Sequence, residues 1–99
     1  KNRLNSMIVS TKETLDKIAQ ILKSTTRKTD TVARLGGDEF VVILQNTDQL
    51  GTEEYARRLR DIFDQSGLKQ RYGVDFSMGV SVLMTYPQTL MTRLMLQIS

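Results

Sequence analysis

The sequence predicts an α+β fold in which helices pack on an antiparallel-rich sheet. Three observations predict it. Segments 9–24 and 52–65 carry apolar side chains at helical spacing, residues 31–45 read as two short strands about a glycine turn, and 74–84 alternates with the period of a strand. The chain of 99 residues, 39% hydrophobic and 25% charged, suits a single globular domain with one modest core.

In the first helix, 9–24, Leu15, Ile18, Ala19 and Leu22 fall on one face. Ser10 or Thr11 is placed to cap it, with Glu13 three residues after Ser10 as in a capping box. The polar run Ser24 to Asp30 ends the helix. Thr31 to Leu35 and Phe40 to Gln45 then read as strands, and the Gly36-Gly37 pair between them suits a hairpin because glycine tolerates positive φ. Residues 47–51 read as a loop. The second helix, 52–65, gathers Tyr55, Leu59, Ile62 and Phe63 on one side, with Arg57, Arg58, Arg60 and Asp61 mostly on the other. Residues 64–73 return the chain through a turn. The last strand aligns Val74, Phe76, Met78, Val80, Val82 and Met84, and Pro87 breaks the pattern. From Thr89 the tail reads as the first turns of another helix. Three strands make a thin sheet, which suggests an element beyond one end of the chain.

Composition narrows the chemistry. The longest apolar run, Phe40 to Leu44, is too short to span a bilayer, and no charged-then-apolar leader opens the chain. The chain has no cysteine, hence no disulfide or thiolate metal site, which fits a reducing cytoplasm. It has no histidine either, leaving carboxylates as metal ligands and acid–base groups. The net charge of +3 favours anionic partners such as nucleotides or nucleic acid, or else reflects a solvated surface that leans basic.

Gly36-Gly37-Asp38-Glu39 has two readings. One is a plain hairpin turn ending in a solvated carboxylate. The other is a site for metal-dependent phosphoryl or nucleotidyl transfer, which needs a backbone that approaches phosphate unobstructed and hard oxygen ligands for the metal. Arg27 and Asp30, likewise, are either solvated charges at a helix end or part of a binding motif. Arg34 is either a residue near the site or a charge on the solvent side of the hairpin.

The string Arg34-Leu35-Gly36-Gly37-Asp38-Glu39-Phe40 resembles the signature of the GGDEF family, the diguanylate cyclases of bacterial signalling. Arg27-Lys28-Thr29-Asp30, separated from Gly36 by five residues, is similar to that family's RxxD product-inhibition motif, and Phe76 to Ser81 is similar to its "vSiGva" strand. The resemblance implies a single domain over 1–99 with the nucleotide-cyclase or polymerase-palm fold, a ferredoxin-like sheet with packed helices. It implies Mg²⁺ or Mn²⁺, GTP as substrate and a homodimer in which two GTP become cyclic di-GMP and two pyrophosphates. Carried over, Asp38 is a metal ligand and catalytic group, Glu39 the second signature carboxylate, and Gly36 and Gly37 admit the substrate. Arg27 and Asp30 bind cyclic di-GMP at an inhibitory site. The resemblance further implies a cytoplasmic domain without nucleic acid as partner, with a sensor or phosphodiesterase domain, or a membrane anchor, open for the parent protein.

The chain departs from the family at its ends. The family's opening strand, which carries an aspartate and is central in the sheet, would precede Lys1. Its "FKxxNDxxGHxxGD" stretch would place Asn-Asp on Arg3 and Leu4, Gly-His on Met7 and Ile8, and Gly-Asp on Thr11 and Lys12, and none matches. Its last helix would begin near Ile98 and Ser99. The domain is therefore expected to be incomplete and the 99-residue chain inactive alone. The alternative is an impaired domain serving as a cyclic di-GMP receptor or regulatory interaction module.

Overall fold

Each helix owes its place to one apolar face. α1 (Arg3–Thr25) turns Leu15, Ile18 and Leu22 inward, and α2 (Gln49–Ser66) turns in Tyr55, Leu59 and Phe63. The computed structural model describes residues 3–85 and 89–98, and the side chains of 12–84 and 89–98. α1 begins upstream of its expected start. Ser10 and Thr11 therefore lie inside the helix and do not cap it, since residues 3–9 contain no glycine or proline to stop the backbone. α2 also starts early, within the expected loop, because the Asp48 side chain caps it by accepting the Gly51 N–H at 2.9 Å. Its end is set by Gly67, at φ +80°. The short α3 (Leu68–Tyr72) follows where a turn was expected and buries Leu68.

The sheet has four strands in the order β1 (Thr31–Arg34), β2 (Glu39–Gln45), β4 (Thr89–Ile98) and β3 (Phe76–Thr85), antiparallel at every pairing. The expected C-terminal helix is thus a strand. Thr92, Leu94, Leu96 and Ile98 are buried while Arg93 and Gln97 are exposed, an alternation with period 2. Leucine and methionine favour helix locally, but β4 pairs on both edges, with β2 and with β3, and that pairing overrides propensity. The pattern break at Pro87 lies outside the described residues. β4 lies inside the sheet, between β2 and β3.

All three helices cover one face of the sheet. The core joins Leu15, Ile18 and Leu22 to Tyr55, Leu59 and Phe63, and sets them against Phe40, Val42, Leu44, Leu94 and Leu96. The sheet is thus α+β with a cyclase-palm type of layering, as the sequence predicts. At one end Phe76 and Ile98 close the core, with the Phe63 and Phe76 rings edge to face at 4.8 Å. Arg60 seals that end: its guanidinium lies 4.1 Å from the Phe76 ring centroid, donates to Asp75 at 2.7 Å and to the Phe76 carbonyl at 3.0 Å. Further along β3, Val80, Val82 and Met84 emerge from beneath the helices and are exposed. A buried hydroxyl chain ties α2 to β4. Thr52 donates to Thr92 at 2.9 Å, and Thr92 to the Thr47 carbonyl at 3.1 Å.

Candidate functional site

The β1–β2 hairpin carries a group of sequence-singled residues at each end. Its register pairs Arg34 with Phe40 and Thr31 with Ile43, so Leu35 to Asp38 form the tip, closed by Leu35 N–H donating to the Glu39 carbonyl at 2.8 Å. All four tip residues and Glu39 are exposed. The tip is also anchored to the central strand, because the Ile98 N–H donates to the Asp38 carbonyl at 2.9 Å. Arg34 folds back over the turn and donates from Nε to the Gly36 carbonyl at 2.9 Å and from Nη2 to the Gly37 carbonyl at 2.7 Å. It thus lies against the turn rather than extending free into solvent.

The glycines are not explained by the turn. Positive φ was expected there, yet among the described glycines only Gly67 and Gly73 adopt it. A Cβ on Gly37 would meet nothing within 4 Å. One on Gly36 would meet only the Glu39 carboxylate, at an ordinary 3.6 Å. The fold therefore accepts side chains at both positions, and their absence leaves the backbone open to something that approaches from outside. Asp38 and Glu39 bring two hard carboxylates to that opening. Among the described residues no group of three potential metal ligands converges, and the β4 residue paired with Glu39 is Gln97, a neutral amide. Such a donor set fits one small divalent cation completed by water and phosphate oxygens better than it fits two.

The other end, about 20 Å away along β2 at ~3.3 Å per residue, is built differently. Arg27 to Asp30 form a β-turn in which the Asp30 N–H donates to the Arg27 carbonyl at 3.0 Å. The Asp30 side chain is 2% exposed and accepts four hydrogen bonds. Its Oδ2 takes the Arg27 N–H at 2.9 Å and Nε at 3.1 Å; its Oδ1 takes Arg27 Nη2 at 3.1 Å and the Gln45 N–H at 3.1 Å. Burial pushes the Asp30 carboxyl up, but those bonds and the Arg27 charge outweigh it and hold it below the usual carboxylate range. Arg27, with its side chain 59% exposed, also donates from Nη2 to the Gln45 carbonyl at 2.7 Å and to Thr47 at 3.0 Å, and the contact with Asp30 raises its pKa further.

An open polar cleft of about 480 Å³ starts at this turn and is lined by Thr25, Arg27, Asp30, Thr47, Tyr55 and Arg58, among others. Tyr55 is buried with its hydroxyl 2.9 Å from that of Thr25, and burial raises its pKa. Sequence reasoning placed Arg58 on a solvent face and missed it as a cleft residue. The available signal was that it follows Tyr55 by three positions, one turn along α2, where its guanidinium lies 5.6 Å from the ring centroid. The structure thus unites Arg27 with Asp30 and Gly36 with Glu39, and keeps the two pairs apart.

The family model described as "Diguanylate cyclase, GGDEF domain" matches residues 10–98, and the chain belongs to that family. Over 70 residues it is 39% identical to Diguanylate cyclase A of Treponema denticola, covering 68% of this chain and 19% of that protein. It is 33% identical over 70 residues to Diguanylate cyclase DosC of Escherichia coli K12, covering 71% of this chain and 15% of that one. The chain therefore corresponds to less than a fifth of the length of these relatives. No solved structure matches it. Among the described residues no helix is long and apolar enough to cross a membrane.

Proposed function

We propose that the chain is the GGDEF domain of a diguanylate cyclase that condenses two GTP to cyclic di-GMP as a homodimer, under product inhibition. The observation that carries the reading is the hairpin tip: two glycines that the fold does not require, beside exposed Asp38 and Glu39. Bare backbone at Gly36 and Gly37 lets a triphosphate approach closely. Asp38, with Glu39 beside it, would hold Mg²⁺ or Mn²⁺, which when bound supplies charge neutralisation on the phosphates and lowers the pKa of a ligated hydroxyl. Arg34 donates to both glycine carbonyls and so braces the shape of the tip.

In this reading the 3′-hydroxyl oxygen of one GTP bonds to the α-phosphorus of the other. The bond from that phosphorus to the bridging oxygen breaks, pyrophosphate leaves, and the hydroxyl proton passes to the Asp38 carboxylate or to water. The reciprocal step closes the ring, so two pyrophosphates leave per product. Arg27 and Asp30 form the inhibitory site in the cleft at the opposite hairpin end. A cytoplasmic setting supplies the GTP.

The decisive experiment is GTP turnover with Mg²⁺ by the parent protein, followed by chromatography for cyclic di-GMP. Product from the wild type and none from Asp38→Ala supports a cyclase. Equal turnover by both removes Asp38 from catalysis. A second reading, a cyclic di-GMP receptor without synthesis, is favoured by Gln97 standing opposite Glu39, where a further carboxylate would strengthen the metal site. Cyclic di-GMP binding without GTP turnover would select it.

A further inference from the structure

The two outer edges of the sheet differ. β1, at one edge, is four residues long and ends in Arg34, whose side chain folds onto the turn. Shortness and charge keep an edge strand from pairing with another chain. β3, at the other edge, has neither. It runs ten residues with no charged side chain and no proline. Along its outer half Val80, Val82, Leu83 and Met84 are 41% to 66% exposed.

The register tells which backbone groups of this edge are free. The Asn46 N–H donates to the Leu90 carbonyl and the Ile98 N–H to that of Asp38. Even-numbered residues of β4 therefore turn their backbone groups to β2, and odd-numbered ones turn theirs to β3. Ser77, Gly79, Ser81 and Leu83 pair with those odd residues and are engaged inward. Met78, Val80, Val82 and Met84 present N–H and C=O outward, where among the described residues no strand meets them. A strand that covers the edge must pair with these four, and β3 of a second copy matches itself. Run antiparallel about a two-fold axis at Ser81, it sets Val80 against Val82 and Met78 against Met84, with no like charges opposed. Gly79 fits the same register. A Cβ there would meet nothing within 4 Å and its φ is not positive, so the fold itself does not require glycine. Leu83 of the other copy would lie opposite that bare position, in a pair without hydrogen bonds, where side chains come closest.

We propose that β3 is a self-association edge, through which two copies of this chain join antiparallel about Ser81 into one continuous sheet. The contact is about 30 Å long and one strand wide, small beside the ~1,000 Å² of a stable interface, so the affinity is on the order of micromolar. This pairing does not rest on the catalytic reading. Phe76 and Ile98, near the hairpin tip, mark one end of β3, so the antiparallel arrangement sends the two tips to opposite ends of the joined sheet.

Sedimentation of the purified protein over a concentration series is expected to show a monomer–dimer equilibrium. Val82→Lys, at an exposed position, should weaken it by about tenfold or more while the urea midpoint at low concentration stays that of the wild type. Because the chain has no cysteine, single cysteines read the register. Ser81→Cys meets its own copy across the axis at ~4.5 Å between Cα atoms, within disulfide reach, and should be trapped as a dimer by mild oxidation. Ser77→Cys, ~27 Å from its copy along the strands, should not. A monomer at every concentration overturns the proposal, as does Val82→Lys that associates like the wild type. Failure of Ser81→Cys to trap, or equal trapping of both cysteines, also overturns it. Hydrogen exchange at Met78, Val80, Val82 and Met84 tests for another occupant. Protection that grows with protein concentration supports self-pairing, and protection independent of concentration refutes it, since the cover would then come from the same molecule.

Discussion

At one end of the β1–β2 hairpin, Asp30 is sunk among four donors and locks a turn to the edge of β2. At the other, Gly36, Gly37, Asp38 and Glu39 stand in solvent, and the two glycines have room for side chains they do not carry. The first end is accounted for by the protein's own contacts. The second is not, and residues that the fold leaves unexplained point to a partner outside the fold. The difference teaches how to separate the two roles. Removing a residue at the Asp30 end is expected to harm stability first, and at the glycine end function first.

The largest effect should come from Asp38→Ala, with GTP turnover by the parent protein down by a hundredfold or more, about the reach of a positioned acid–base or charge-stabilising group. Its unfolding free energy should stay within about 0.5 kcal/mol of the wild type, as for an exposed residue. A large loss of stability would break the comparison. Asp30→Ala reverses the pattern. It removes an acceptor from the Gln45 N–H and from three Arg27 donors and is expected to cost about 2 kcal/mol, read from the urea midpoint.

Acid sharpens the comparison. Asp30 and Asp75 both have carboxyl groups held below their unfolded values, Asp75 at about 2 through hydrogen bonds from Arg60 and the Phe76 N–H. A depressed carboxyl contributes stability that is present above its unfolded pKa, near ~3.9, and is lost as pH falls through the folded one. Stability is therefore expected to decline below about pH 4. The Asp75 share is about 1 kcal/mol, discounted because its side chain is 38% exposed. Urea melts of wild type and Asp75→Asn between pH 5 and pH 2, on the order of that window, check it: the variant should show the shallower decline.

The smallest effect is on stability in Gly37→Ala, expected within about 0.5 kcal/mol because the added methyl meets nothing. The same variant should lose binding of Mg·GTP in calorimetry. A stable variant that binds the nucleotide as the wild type does would return the tip to an ordinary turn.

Much of this was legible in the chain. Leu15, Ile18 and Leu22, then Tyr55, Leu59 and Phe63, announce two helices by spacing alone, and they are the residues that enter the core. The hairpin was legible because its partners are close in sequence. The tail was misread, since Thr89 to Ile98 holds both a leucine-rich helical composition and an alternating pattern, and only the neighbouring strands choose between them.

By itself, the sequence determined the local elements, the family signature from Arg34 to Phe40 and the chemistry open to a chain with neither cysteine nor histidine. Tertiary structure alone decided three things. It made the C-terminal segment a central strand, it released Gly36 and Gly37 from any conformational need, and it joined Arg27, Tyr55 and Arg58 in one cleft. The physical reason is the same in each case. Strand pairing, the space around a backbone atom and the meeting of side chains some thirty positions apart are properties of neighbours in space, and no local spacing encodes them.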